Sequence, residues 1–150
     1  MSNVRYQKMG PFSDGWTESD VEAVLAKGDP EELLYVPIIV GMNAPDCEQS
    51  WVEDICFALA DHPHFNVRGN AVLAFGHIAR TCGELDLQRV LPILTKALND
   101  SHEYVRGHAN AASCDIETYL GVEVPGYDGE FTKALNQTIE KVRRQIDGDT

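Results

Sequence analysis

A short pattern that occurs twice, 38 residues apart, constrains the fold of this chain more than any other feature. The two copies are Val67-Arg68-Gly69-Asn70-Ala71 with Ala74 and Ile78, and Val105-Arg106-Gly107-His108-Ala109 with Ala112 and Ile116. The Val, Ala, Ala and Ile positions recur at helical spacing, so they fall on one stripe of an α-helix. Internal repeats of this length are typical of proteins that stack helical units side by side.

An aspartate and a short loop precede each copy of the pattern. Asp61 ends one helix before Val67-Arg68, and Asp100 ends another before Val105-Arg106. Because Asp and Arg recur at equivalent places, we expect a charge-assisted hydrogen bond that ties the loop to the helix start or to the next repeat. Both arginines are therefore interpreted as structural, and the glycine after each is expected to let two helices approach closely.

The Val-Arg-x-x-Ala start after an Asp-containing turn resembles the HEAT and armadillo class of helical repeats. That resemblance implies an all-α fold, an α-solenoid of about three antiparallel helix pairs, with the second helix of each pair on the concave face. It implies no particular activity, because such arrays serve many functions.

Periodicity predicts an N-terminal arm, residues 1–16, and one helical domain, residues 17–150. The expected helices begin at Thr17 or Ser19, at Pro30, after Asp46, and near residues 66, 85, 102 and 130. Pro37 is expected to kink or split the second helix. The last helix has Phe131, Leu135, Ile139, Val142 and Ile146 on one face, the pattern expected of a terminal capping helix.

The charge of the chain is strongly negative and unevenly distributed. The net charge is −12, and residues 14–63 hold twelve acidic residues against one base, Lys27. Such a field attracts basic proteins and repels nucleic acids. Acids at helix starts, Asp20, Asp29 and Asp46 among them, account for only part of this excess. We therefore expect a basic protein partner and no nucleic acid partner.

Composition indicates a reduced, cytoplasmic protein. No apolar run approaches the roughly 18 residues needed to span a bilayer, so no membrane association is expected. The first ten residues lack the apolar segment of a secretory signal. Four cysteines are scattered without a C-x-x-C pair, and no cofactor is expected.

The polar residues could in principle serve metal binding or catalysis. His62, His64, His102 and His108 raise the possibility of a metal site, but H-x-H spacing without matching Cys or acidic ligands favours polar loop histidines. No nucleophile motif or phosphate-binding loop occurs, so no catalytic residue is predicted.

Candidate partner-binding residues fall into two groups, and the sequence does not choose between them. One is the outward side of the two repeat helices. The other is acidic. The residues are Asn70, His77, Arg80, His108 and Asp115 for the first group, and Glu53, Asp54 and Asp61 for the second.

The leading hypothesis is a non-enzymatic protein-binding module, an acidic protein of the bacterial immunity type that neutralises a basic, nuclease-type toxin. One alternative is a HEAT-like accessory or lyase protein that holds a tetrapyrrole or another small ligand. Another is a scaffold subunit in which the apolar segment from Leu33 to Val40 is covered by a second copy.

Overall fold

The computed structural model describes residues 9–148, except for the side chains of residues 130–133, 135 and 136. The predicted all-α class is confirmed, because the described residues form helices and no β-strand. The elements are α1 (Glu18–Lys27), α2 (Pro30–Leu33), α3 (Val36–Met42), a 3-10 turn (Ala44–Asp46), α4 (Gln49–Leu59), α5 (Phe65–Cys82), α6 (Leu87–Ala97), α7 (Glu103–Leu120) and α8 (Glu130–Gly148).

Local sequence signals set the first helix boundaries. Thr17 caps α1 through a reciprocal pair of hydrogen bonds with Asp20, and Gly28 ends the helix at a φ of 71°. Asp29 then caps α2, accepting a hydrogen bond from the Glu31 amide at 3.0 Å. The predicted break at Pro37 is confirmed. The chain leaves the helix after Leu33 and begins α3 at Val36, with proline in its first turn.

The apolar segment that α2 and α3 share is buried within its own chain. Leu33, Val36, Ile39 and Val40 are at most 4% exposed. These side chains are therefore not free for a second copy to cover, and the scaffold alternative loses the exposed segment that supported it. Phe12 and Trp16 also enter the core, each 3% exposed, with their rings in edge-to-face contact at 6.2 Å.

Helix α5 occupies the centre of the molecule and packs more extensively on α7 than any other pair of helices packs. Gly69 lies against Val105, and Gly76 lies against Ala112. These contacts advance in the same order along both helices, so α5 and α7 run in the same direction.

A second set of contacts joins α4 to α6. The Glu53 carboxylate accepts a hydrogen bond from the Asp86 amide at 2.8 Å, at the start of α6. Further along, Arg89 reaches Asp54 at 3.2 Å. At the far ends of the two helices Lys96 reaches Asp61 at 3.3 Å. Helices α4 and α6 therefore also run side by side in one direction.

The prediction that α8 caps the stack is wrong for the side chains that the structure describes. Ala134 and residues 137–148 are all exposed, including Ile139, Val142 and Ile146. Phe131 and Leu135 belong to the same predicted face, but their side chains lie outside the described residues. Helix α8 is therefore amphipathic as predicted, but the described part of its apolar face is exposed.

Candidate functional site

Two glycines on α5 create the seam where α5 and α7 meet. A Cβ atom at Gly69 would lie 2.7 Å from the Tyr104 ring. At Gly76 a Cβ would lie 2.9 Å from both the Ala112 Cα and an Asp115 carboxylate oxygen. The absence of a side chain at these two positions lets Tyr104 and Asp115 fill the space instead.

Asn70 lies inside this seam, and its predicted outward position is wrong. The residue is 3% exposed. Its amide nitrogen donates to the Leu34 carbonyl at 2.8 Å, and its amide oxygen accepts a hydrogen bond from the Tyr104 hydroxyl at 2.6 Å. Burial raises the pKa of Tyr104, while the hydrogen bond with Asn70 opposes that shift. Asn70 therefore joins three helical segments and is not available to a partner.

The structure brings four of the predicted residues together beside the seam. Arg80 donates to His77 Nδ1 at 2.8 Å and lies 3.5 Å from an Asp115 oxygen. Burial, and then the charges of Arg80 and His108, lower the pKa of His77. Burial also lowers the pKa of His108, whose ring lies 4.2 Å from that of Tyr104. The group thus combines one cation, one carboxylate and two histidines whose lowered pKa values favour the neutral ring.

The electrostatic state of Asp115 follows from the same packing. Burial raises the pKa of its carboxyl group, and Arg80 opposes that rise. Asp115 also lines an open pocket of about 670 Å³ on the far side of α7. The other residues that line this pocket are Gly107, Asn110, Ala111, Cys114, Tyr127 and Asp128.

The repeat arginine Arg68 is structural, as predicted, and makes both of the expected links. Its Nη1 donates to the His62 carbonyl in its own loop at 2.9 Å. Its Nε and Nη2 form a two-pronged pair with the Asp100 carboxylate at 2.8 and 2.9 Å. The hydrogen bond from Arg68 holds the pKa of Asp100 below its usual value. This pair connects one repeat to the next.

The three predicted acidic residues differ in their accessibility. Glu53 is 8% exposed and holds the start of α6, so its prediction as a partner contact is corrected. The side chains of Asp54 and Asp61 are 66% and 85% exposed. Their pairs with Arg89 and Lys96 are surface pairs that solvent screens, and such pairs exchange readily for a partner's charges.

A cleft between α1 and the start of α4 gathers acidic residues that sequence reasoning did not single out. It has a volume of about 360 Å³ and is lined by Glu18, Glu22, Asp46, Cys47, Glu48 and Trp51. None of these six described residues is basic. Trp51 is half-buried and borders this cleft. The sequence shows the acidic excess, but not that two separate segments meet.

The loop histidines serve local packing. The His102 ring stacks on Phe65 at 3.8 Å, and its Nδ1 accepts the Tyr104 amide hydrogen bond that caps α7. His62 Nδ1 accepts the amide hydrogen bond of His64. Among the side chains that the structure describes, no three His, Cys, Asp or Glu residues converge as metal ligands.

Comparison with known proteins adds no further constraint. Searches against family models, curated proteins and solved structures found no match to this chain. No helix in the described part of the chain has the length and hydropathy needed to cross a bilayer.

Proposed function

We propose that this chain is a non-enzymatic, cytoplasmic protein-binding module that captures a basic partner protein in its acidic cleft. The observation that carries the proposal is the cleft between α1 and α4, where Glu18, Glu22, Asp46 and Glu48 surround Trp51. It belongs to the segment of residues 14–63, which holds twelve acids and one base.

The cleft has the chemistry needed to recognise Arg or Lys side chains. Carboxylates lining a concave surface concentrate the field and speed the encounter with a cationic partner. An aromatic ring at the border adds a cation–π contact, which Arg uses more often than Lys. Asp54 and Asp61 extend the exposed negative charge along α4.

The partner class that we propose is a basic, nuclease-type toxin, neutralised by direct binding as in immunity proteins. Such enzymes carry positive surfaces for nucleic acid, and an acidic inhibitor competes for that surface. The scaffold that we propose is a small HEAT-like stack, in which α4 and α5 form one antiparallel pair and α6 and α7 the next. Arg68 and Arg106 each donate to a loop carbonyl six residues earlier in the chain. This recurring bond and the parallel course of α5 and α7 support that arrangement.

The test measures association rates with a panel of basic nuclease domains. Glu22→Lys with Glu48→Lys should slow association by about tenfold at low salt, since electrostatic steering depends on the local field. Raising the salt concentration should slow the unaltered protein toward the same rate. Glu53 is unsuitable for charge reversal because it is buried.

The matched control is Glu103→Lys with Glu123→Lys, two exposed acids on α7 and the following loop. It changes the net charge by the same amount but leaves the cleft intact. Equal slowing by both pairs would assign the effect to net charge alone. Binding only to neutral or acidic partners, without salt dependence, would refute the proposal.

A small-ligand function is the second candidate, and the open pocket beside α7 is what favours it. Its volume of about 670 Å³ is within the range of ligand sites. Asp115 and Asp128 in its lining disfavour anionic ligands such as tetrapyrrole carboxylates. A bound chromophore or an added mass in the purified protein would support this candidate over the first.

A further inference from the structure

Helix α8 carries an apolar stripe that the described part of its own chain leaves uncovered. Ile139, Val142 and Ile146 are 46%, 48% and 66% exposed. They lie on one face because their spacing is three and four residues. In proteins, packing of the apolar face supplies most of the stability of an amphipathic helix.

The described surface of the rest of the chain offers no matching apolar stripe. Outside α8, the large apolar side chains that are exposed there are Met42 and Tyr119, on different helices. The outer face of α7 is small and polar, with Asn110 and Ala111 exposed. The stripe of α8 therefore has its best counterpart in another copy of α8.

The spacing of the stripe is suited to pairing with itself. In the sequence, Phe131 and Leu135 precede Ile139, Val142 and Ile146. When two such helices run antiparallel about a point next to Ile139, position 131 falls opposite position 146 and position 135 falls opposite position 142. In a two-fold interface, residue i of one copy faces residue j of the other, and residue j of the first faces residue i of the second. The pairing of these positions meets that requirement.

Charge also favours α8 as the place where two copies meet. Residues 130–148 hold four bases and three acids, so their net charge is +1. The remaining residues of the chain sum to −13. Two copies that approach through any other broad surface bring strongly negative bodies together, whereas α8 projects a nearly neutral segment.

We propose that α8 pairs antiparallel with α8 of a second copy, covering both apolar stripes in a two-fold homodimer. Sedimentation equilibrium of the full chain should give twice the chain mass of 16.6 kDa, with dissociation on dilution over about a hundredfold range. Ile139→Asp with Val142→Asp should give the mass of a single chain at every concentration.

Gln137→Asp with Arg144→Gln is the matched control. Both residues are exposed on the opposite side of α8, and this pair of substitutions lowers the net charge by the same amount. This control should remain dimeric. Helical content by circular dichroism shows whether either variant has unfolded, and Ile146→Asp alone, near the helix end, provides a milder disruption.

Cross-linking gives a second readout. A cysteine at residue 139 lies next to the two-fold axis, so Ile139→Cys should form a disulfide-linked dimer on oxidation, whereas Gln137→Cys should not. A single-chain mass for the unaltered protein at all concentrations would overturn the proposal. A dimer that persists in Ile139→Asp with Val142→Asp would overturn it as well.

Discussion

Helices α5 and α7 carry the same sequence pattern but use it in different surroundings. On α5, Gly69 and Gly76 receive the side chains and backbone of α7. On α7, no atom of another helix in the described residues lies within 4 Å of a Cβ built at Gly107, so the close approach expected at this glycine is wrong. A repeated pattern therefore records a shared packing stripe, whereas the outer side of each copy depends on whether another helix follows.

The residues one turn after the repeat glycine of each helix show the same contrast. Val72 on α5 is buried, and its equivalent on α7, Asn110, is exposed. Leu73 is half-buried, and its equivalent, Ala111, is exposed. The polar and small residues on α7 suit a helix whose outer side faces water, so α7 behaves as the last helix of the packed core.

Adding one methyl group to each helix tests whether α5 and α7 differ in this way. Gly76→Ala should lower the free energy of unfolding by about 2–3 kcal/mol, because the new Cβ meets the backbone of Ala112. Gly107→Ala should raise the free energy of unfolding by about 0.5–1 kcal/mol, since alanine favours the helix and nothing is in its way. Urea unfolding measures both, and loss of stability in both variants would show that α7 is not an end.

The two repeat arginines should differ in how much each contributes to the free energy of unfolding. Arg68 bonds a carboxylate and two carbonyls, whereas the hydrogen bond described for Arg106 is the one from its Nη1 to the Asp100 carbonyl at 2.7 Å. Arg68→Met should cost about 2 kcal/mol, because it leaves Asp100 without its charged partner. Arg106→Met should cost about 1 kcal/mol or less. Equal losses in urea unfolding would mean that the inter-repeat pair adds nothing.

The two histidines beside the seam should make a small, pH-dependent contribution to stability. His77 and His108 have lowered pKa values in the folded protein, so the unfolded chain binds more protons below its own pKa of about 6.5. Their contribution to stability is present above that pH and is lost as the pH falls. Unfolding measured between pH 7.5 and pH 5.5, roughly the range in which histidine titrates, should show this decline, and His77→Gln with His108→Gln should reduce its slope. An unchanged slope would place both rings in contact with bulk water.

Much of the fold was predictable from local signals. The helix boundaries near Gly28, Pro37 and Gly83 follow from residues that stop or start helices whatever surrounds them. The Arg68–Asp100 link was predictable because the pattern repeats. These features depend on neighbours in the chain or on a fixed period, so one sequence contains the information.

Other features depend on contacts between distant segments and were missed. Asn70 is buried because the Leu34 carbonyl and the Tyr104 hydroxyl both reach it, which its place on an outward helix position does not show. Glu53 is buried because the α6 start needs an acceptor. The period of α8 shows that one face requires cover, but not what covers it.

Titration of the protein with an arginine-rich peptide tests whether the cleft beside Trp51 binds cationic side chains. Trp16 is 3% exposed, so a change in tryptophan emission reports on Trp51. We expect a saturable change that salt weakens and that Trp51→Phe or Glu22→Lys with Glu48→Lys abolishes. An emission unaffected by the peptide, or a response that survives reversal of those two carboxylates, would contradict the claim.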